Sequence, residues 1–278
     1  MVEVEIEGTI CAGKIFRHDL FTRDEKTFCE MFTKEYTCVR QLKHKHIVQH
    51  HGICSLPDSK LPVLVMEKLE TNLHKYLLDP ANANLDLVVK VSILRGIAKG
   101  LVYLHNQTPA IIHRDLTANN VLLDLERVPK ISDFGNSQIF ATDPSSSLKA
   151  MTKDPGTPLY MPPEACHDDA RYNTKLDIFS YGHLALFVAT QVVPSSLLPA
   201  TYYSKIGGKR QLVARTEFER RKEYIDMLGD QHPLTILIQQ CLDNDQEDRP
   251  KATAIETQLD ELRRTLVTKY ERRANTTV

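Results

Sequence analysis

The sequence predicts an α+β protein: a small antiparallel sheet carrying one long helix, followed by a mainly helical part. Three observations predict it. The chain opens with alternating apolar and polar residues in "VEVEIEGTICAGKIF". From Asp24 to His44 the apolar spacing changes to three and four residues. After about Glu67 that spacing dominates, as in "LDLVVKVSILRGIAKGLVYLH". Alternation puts neighbouring side chains on opposite faces of a strand, whereas a 3.6-residue period gathers them on one helix stripe.

The opening stretch reads as a hairpin, with Gly8 near the turn and the second strand ending near Lys14. Phe28, Phe32, Glu35, Val39 and Leu42 mark one face of the helix that follows. "HIVQHHGI" and "LPVLVMEKL" read as two more strands. Leu87, Val91, Leu94, Ala98, Leu101 and His105 then form the stripe of a buried amphipathic helix. "HRDLTANNVLLDLERVPKISDFG" is dense in turn residues and holds short apolar runs, so it reads as loop and hairpin. "ATDPSSSLKAMTKDPGTP" is polar and rich in Ser, Thr and Pro, the composition of a long loop. From Thr174 onward helical patterns dominate, ending in "KATAIETQLDELRRTLVTKYERR" and a charged tail.

A chain of 278 residues can bury a sizeable core as one large domain or two lobes. Net charge is -1, so no global field favours nucleic acid or an anionic membrane. Six cysteines are scattered without a CxxC pair, which points to free thiols in a reducing, cytoplasmic setting. No apolar run approaches the roughly 18 residues of a membrane span. His44, His46, His50 and His51 invite a metal site, but ligation by His46 and His50 at i, i+4 needs a helix where a strand is expected. "RTEFERRKEY" at 215–224 reads as a solvated basic helix face.

The densest chemistry lies in "HRDLTANN" at 113–120 and "DFG" at 133–135. "GTPLYMPPE" at 156–164, "LDIFSYG" at 176–182 and "DRP" at 248–250 follow in order. Together these motifs resemble the eukaryotic protein kinase domain, over about Lys14 to Arg249. The resemblance implies a two-lobed fold: an N-lobe at 1–66, a hinge at 67–73, a C-lobe at 74–266 and a charged tail at 267–278. It implies ATP and Mg2+ as cofactors and a protein substrate, with no nucleic acid and no membrane insertion. Further domains of a longer native chain remain open.

Roles carry over residue by residue. Asp133 and Asn120 resemble the magnesium ligands, and Asp115 the group that orients the acceptor hydroxyl and takes its proton. Lys14 resembles the lysine on the α and β phosphates, with Glu35 as its helix partner. Met66 resembles the gatekeeper. The Glu67 carbonyl and Leu69 amide would bond the adenine edge, between Ala12 and Leu122. His113 is implied to pack under the DFG segment, Glu164 and Arg249 to form a buried ion pair, and Asp177 to accept bonds from the catalytic-loop backbone. Arg114 would take a phosphate on Thr152, and Thr157 would bond Asp115.

The chain also departs from the family pattern. It has no GxGxxGxV before the hairpin, so a chain truncated upstream of the glycine-rich loop is expected. Backbone amides on phosphate oxygens contribute about 1.5–3 kcal/mol each, so losing that loop weakens nucleotide binding. Between Asp115 and Asn120 stand Leu116, Thr117, Ala118 and Asn119, with no cation. "HRDLTANN" has a tyrosine-kinase rhythm and "GTPLYMPPE" the serine/threonine form, a mixture that resembles the tyrosine-kinase-like branch. Phe179 stands where the family usually has Trp. The expected function is phosphoryl transfer from ATP to protein hydroxyls, Ser/Thr before Tyr. The alternative is a kinase-like scaffold or pseudokinase without turnover.

Overall fold

In the computed structural model, β1 (Val2–Ile6) and β2 (Thr9–Ile15) form a hairpin in which Gly8 takes φ 79°, a left-handed value that suits glycine. The structure describes residues 1–15, 25–55, 61–139, 162, 164, 173–193, 201–206, 209–214 and 217–276. The polar stretch at 141–158, expected as a long loop, lies outside them.

β3 (His50–Ser55) and β4 (Pro62–Glu67) complete a four-stranded antiparallel sheet in the order β1-β2-β4-β3. Val63, Leu64 and Val65 of β4 are fully buried, which is why this strand reads as a continuous apolar run. The long helix is α1 (Glu25–Val39). Its stripe is seen in buried Glu35, Cys38 and Val39, with Leu42 buried just beyond its end.

One strand is shorter than expected. In "HIVQHHGI" the ladder starts at His50, and the first half pairs elsewhere. Val48 N–H donates to Ile131 carbonyl at 2.9 Å, and Ile131 N–H to His46 carbonyl at 2.9 Å. A short parallel bridge thus takes up the backbone that the sheet does not.

The next elements are α2 (Leu73–Leu78), after the two-residue β5 (Thr71–Asn72), and α3 (Leu87–His105). Val91, Leu94, Ala98 and Leu101 of α3 are at 0% exposure, as the stripe predicts. Burying such aliphatic side chains stabilises by about 1.5–3 kcal/mol each. β6 (Ile111–Ile112) pairs with β9 (Gln138–Ile139), and β7 (Val121–Leu123) forms a hairpin with β8 (Pro129–Ile131). These short strands bracket the loops that carry Asp115 and Asp133.

By contacts the chain groups into two units: Met1–Tyr76 with Arg95–Ser146, and Leu77–Leu94 with Ser147–Val278. The second unit is mainly helical. α4 (Lys175–Thr190) is buried on all sides from Leu176 to Ala189, so it forms that unit's core. α5 (Glu217–Asp226), α6 (Thr235–Cys241) and α7 (Ala252–Thr276) follow.

An unexpected hairpin stands among these helices. β10 (Thr201–Ile206) pairs with β11 (Lys209–Ala214), a strand pair that the sequence reading did not single out in a region where helical patterns dominate, as expected. The sequence carried a signal for it: Gly207 and Gly208 separate two stretches rich in Tyr, Ile, Leu and Val. A correction concerns α5. Arg221 is 6% exposed and donates to Asn244 at 3.1 Å, so this face is not simply solvated.

Candidate active site

Lys14 and Ala12 lie two residues apart on β2 and so share a face of the sheet. Their partners on β4 are Leu64 and Met66. The Lys14 ammonium donates to both Glu35 oxygens, at 2.7 and 3.0 Å, and to Asp133 Oδ1 at 2.8 Å. Helix α1, strand β2 and the DFG turn thereby converge on one cation. The expected Lys14 and Glu35 pair is present, and Asp133 joins it.

Gly135 explains how closely these groups gather. A Cβ there would lie 3.2 Å from Glu35 Oε2 and 3.3 Å from Asp133 Oδ1, a tight fit. Asp133 accepts the Gly135 N–H at 3.3 Å. Asp133 (φ 62°) and Arg114 (φ 67°) both take left-handed backbone conformations, which cost free energy in non-glycine residues. The surrounding contacts hold that strain within the site.

The electrostatics sort these groups. Burial raises the Glu35 carboxyl above its ordinary value, and Lys14 offsets part of that rise. Burial opposes the Lys14 charge, but Glu35 and Asp133 outweigh it and raise the ammonium value. Burial also works against an ionised Asp133, yet Lys14 and the Gly135 N–H prevail, so its carboxyl is held low. Asp133 therefore stays an anion. Asp115 goes the other way: burial raises it, with Asp133 adding to the rise and His113, Asn136 and Asn120 moderating it. A carboxylate with raised proton affinity is suited to accept a proton.

Asp115 and Asn120 meet across their loop. Asn120 Nδ2 donates to the Asp115 carbonyl at 2.8 Å and to its Oδ2 at 3.1 Å. The Asn120 amide oxygen is left for a hard cation, for which neutral oxygen is a suitable ligand. His113 is fully buried, bonds the Ser132 carbonyl through Nε2 at 2.9 Å and packs edge-on against Phe134 at 5.0 Å. His50 also approaches Phe134, at 6.5 Å, and its buried Nδ1 has no hydrogen-bond partner among the described residues.

Sequence reasoning gave Glu67 a backbone role, but its side chain is engaged as well. Lys130 Nζ donates to its two oxygens at 2.9 and 2.8 Å, and Gln49 N–H donates to Oε1 at 2.8 Å. Met66 is 5% exposed, while Ala12, Leu69 and Leu122 are half-buried. Lys130 is opposite Leu122 in the β7–β8 register. Neither Lys130 nor Gln49 belongs to a named motif, so only register could have signalled them.

The second unit holds the other expected pair. Arg249 Nη1 and Nη2 donate to Glu164 Oε1 and Oε2 at 2.6 and 2.8 Å. Phe179, fully buried, has the Arg221 and Arg249 guanidinium carbons at 4.6 and 4.7 Å from its ring centre. A phenyl ring thus takes two cation–π contacts where the family usually has an indole. Asp177 is fully buried in the first turn of α4. Thr152 and Thr157 lie outside the described residues.

No cluster of three potential metal-ligating His, Cys, Asp or Glu side chains occurs among the described residues. The His44–His51 segment has other work: His46 bonds the Pro129 carbonyl at 2.9 Å and His44 stacks on Tyr103 at 4.7 Å. Among the described residues no helix is long and apolar enough to cross a membrane.

The family model of the protein kinase domain matches residues 4–258. The chain belongs to the protein kinase domain family. Part of this kinase domain is 39% identical to a cysteine-rich receptor-like protein kinase of Arabidopsis thaliana, over 158 residues, 56% of this chain and 23% of that protein. A probable serine/threonine-protein kinase of Dictyostelium discoideum is 33% identical over 199 residues, 72% of this chain and 19% of that protein. A brassinosteroid LRR receptor kinase of Oryza sativa subsp. japonica is 34% identical over 211 residues, 74% of this chain and 17% of that protein. The kinase domain spans about a fifth of the length of each of these three relatives.

Proposed function

We propose that this kinase domain transfers the γ-phosphate of ATP to protein hydroxyls, Ser and Thr before Tyr. The observation that carries the reading is the convergence of Glu35 and Asp133 on Lys14, with Asp115 and Asn120 bonded to each other in the same unit. A scaffold has no use for such an arrangement. The Ser/Thr preference draws on "GTPLYMPPE" and on the relative named as a serine/threonine-protein kinase.

In this reading Lys14 holds the α and β phosphates, kept in place by Glu35. Met66, the Glu67 carbonyl, the Leu69 amide, Ala12 and Leu122 hold the adenine at a hinge of residues 67–73, between lobes at 1–66 and 74–266. Asp133 and Asn120 would hold Mg2+, and the donor set fits: one carboxylate kept ionised and one amide oxygen. Magnesium supplies neutralisation of charge on the phosphates. Asp115 orients the acceptor hydroxyl and receives its proton at the carboxylate, where raised proton affinity helps. The cytoplasmic setting rests on cysteines without disulfides among the described residues.

The test is steady-state phosphorylation of a generic protein substrate by wild type and Asp115→Asn. We expect kcat to fall 10²- to 10⁴-fold, the usual cost of a lost base, with ATP affinity kept within a few-fold. Equal turnover in both proteins sinks the role of Asp115. If neither protein transfers phosphate, the scaffold reading takes over.

Regulation belongs to the same proposal. Arg114 beside the base would bind a phosphate on Thr152, which adds about -1.5 to -2 charges and takes a bidentate guanidinium contact. Thr157 would then bond Asp115. Phosphopeptide mapping of active protein should find Thr152 modified, and Thr152→Ala should lower activity. Full activity in protein without phosphate at 142–157 removes this part.

A further inference from the structure

We propose that Asn136 is a positioning residue for Asp115, tying the orientation of that carboxylate to the turn that carries Asp133. This rests on Asp115 being the base. Asn136 Nδ2 donates to Asp115 Oδ2 at 3.3 Å, and Asn120 Nδ2 donates to the same oxygen at 3.1 Å. One donor comes from the catalytic loop itself, the other from the residue after "DFG". With Oδ2 held by two amides, Oδ1 is the oxygen left to take a proton.

The turn around Asn136 is fastened to the catalytic segment at several points. Ser137 N–H donates to the Phe134 carbonyl at 3.0 Å, closing the turn. Ser137 Oγ donates to the His113 carbonyl at 3.2 Å, and Phe134 packs on the His113 ring. Asn136 is therefore placed by contacts on both sides of it. Opening this turn would move Asp133 and withdraw Asn136 from Asp115 together. The base would lose one of two donors whenever the Asp133 turn leaves its place.

The chemistry suits the departure noted in the sequence, where Thr117 and Asn119 stand in the gap before Asn120. A cation beside Asp115 would orient the carboxylate but also weaken it as a base. An amide orients it at a smaller cost in basicity. Asp115 is faced by Asn120 and His113 from its own segment and by Asn136 and Asp133 from the DFG turn. Of these, Asp133 repels its charge and the other three favour it.

The test compares wild type, Asn136→Ala and Asn136→Asp in steady-state phosphorylation of a generic protein substrate at pH 7. Asn136 is exposed, so both variants should fold, and thermal melts confirm it. The contact is long and reached by water, so kcat should fall about 3- to 10-fold in Asn136→Ala while KM for ATP stays within about twofold. Asn136→Asp replaces the donor by a second carboxylate that repels the first, so its kcat should fall further, again with KM for ATP kept. Variants that keep the kcat of an active wild type, or that lose it only together with ATP affinity, overturn the inference. A wild type no more active than Asp115→Asn overturns the kinase reading itself, and the inference falls with it.

Discussion

Removing Glu164 tests whether the Arg249 pair acts as a buried element of the second unit. Arg249 has none of its side chain exposed, and Glu164 has 16%. The guanidinium makes two bonds to the carboxylate and donates also to the carbonyls of Asp243 at 2.8 Å and Lys175 at 3.2 Å. Glu164→Ala leaves that cation buried with carbonyls and the Phe179 ring. Breaking a buried pair in this way costs about 3–5 kcal/mol. Water reaches part of Glu164 and the carbonyls remain, so the lower end applies, about 3 kcal/mol. With a urea m-value of about 3 kcal/mol/M, the unfolding midpoint should fall by about 1 M. Because the pair is buried, 0.5 M salt should leave most of this cost in place. The assay is urea unfolding of wild type, Glu164→Ala, Arg249→Met and the double variant. The double variant should be about 1–3 kcal/mol more stable than the sum of the single losses. A cost below about 1 kcal/mol, with additive single variants, would refute the reasoning and reduce the contact to a surface salt bridge.

Two further predictions concern the first unit. Magnesium-ATP should raise the melting temperature of wild type, by an amount that corresponds to about 2.7 kcal/mol at 100 times Kd, and Asp133→Asn should lose most of that shift; equal shifts in both proteins would remove Asp133 as a metal ligand. His50 titrates in the opposite region of pH. Burial lowers its value from 6.5 to about 4, so the unfolded chain binds the proton more readily. Its contribution is intact above pH 6.5 and lost as pH falls toward 4, about 3 kcal/mol in all. In His50→Leu that acid-side slope should flatten, as read by urea midpoints from pH 7 to 4; an unchanged slope would show that another group carries it.

What the sequence made legible follows from where the constraint is local. The hairpin through Lys14, the stripe of α1 and the stripe of α3 are periodic over many residues, so elementary packing predicts them. Lys14, Glu35, Asp115, Asn120 and Asp133 were singled out because their motifs resemble the protein kinase domain, and the fold joins Lys14 to Glu35 and Asp133, and Asp115 to Asn120. The misses come from contacts that close across the fold. "HIVQHHGI" alternates well enough for a strand, but its first half is claimed by Ile131, more than 80 residues away. Lys130 lies in a stretch that reads only as loop and hairpin, and the fold brings it to Glu67. Arg221 sits in a basic run, and only the fold shows that Phe179 and Asn244 receive it. The β10–β11 hairpin is a different kind of miss, since Gly207 and Gly208 announced it locally.

Asn136 shows why motif reading stops short of mechanism. A motif names the groups that react, and "DFG" ends one residue too early for the group that aims one of them. The contact at 3.3 Å depends on the turn that Ser137 closes and on the depth of Phe134 against His113. Neither is a property of any residue alone. The same holds for Gly135, whose missing Cβ matters because Glu35 arrives from a helix a hundred residues earlier. In the proposed reading the reacting groups follow from the motifs, and their aim follows from what the fold packs behind them. Substitutions behind the reacting groups should therefore alter kcat before they alter nucleotide binding, whereas substitutions at Lys14 or Asp133 should alter binding first.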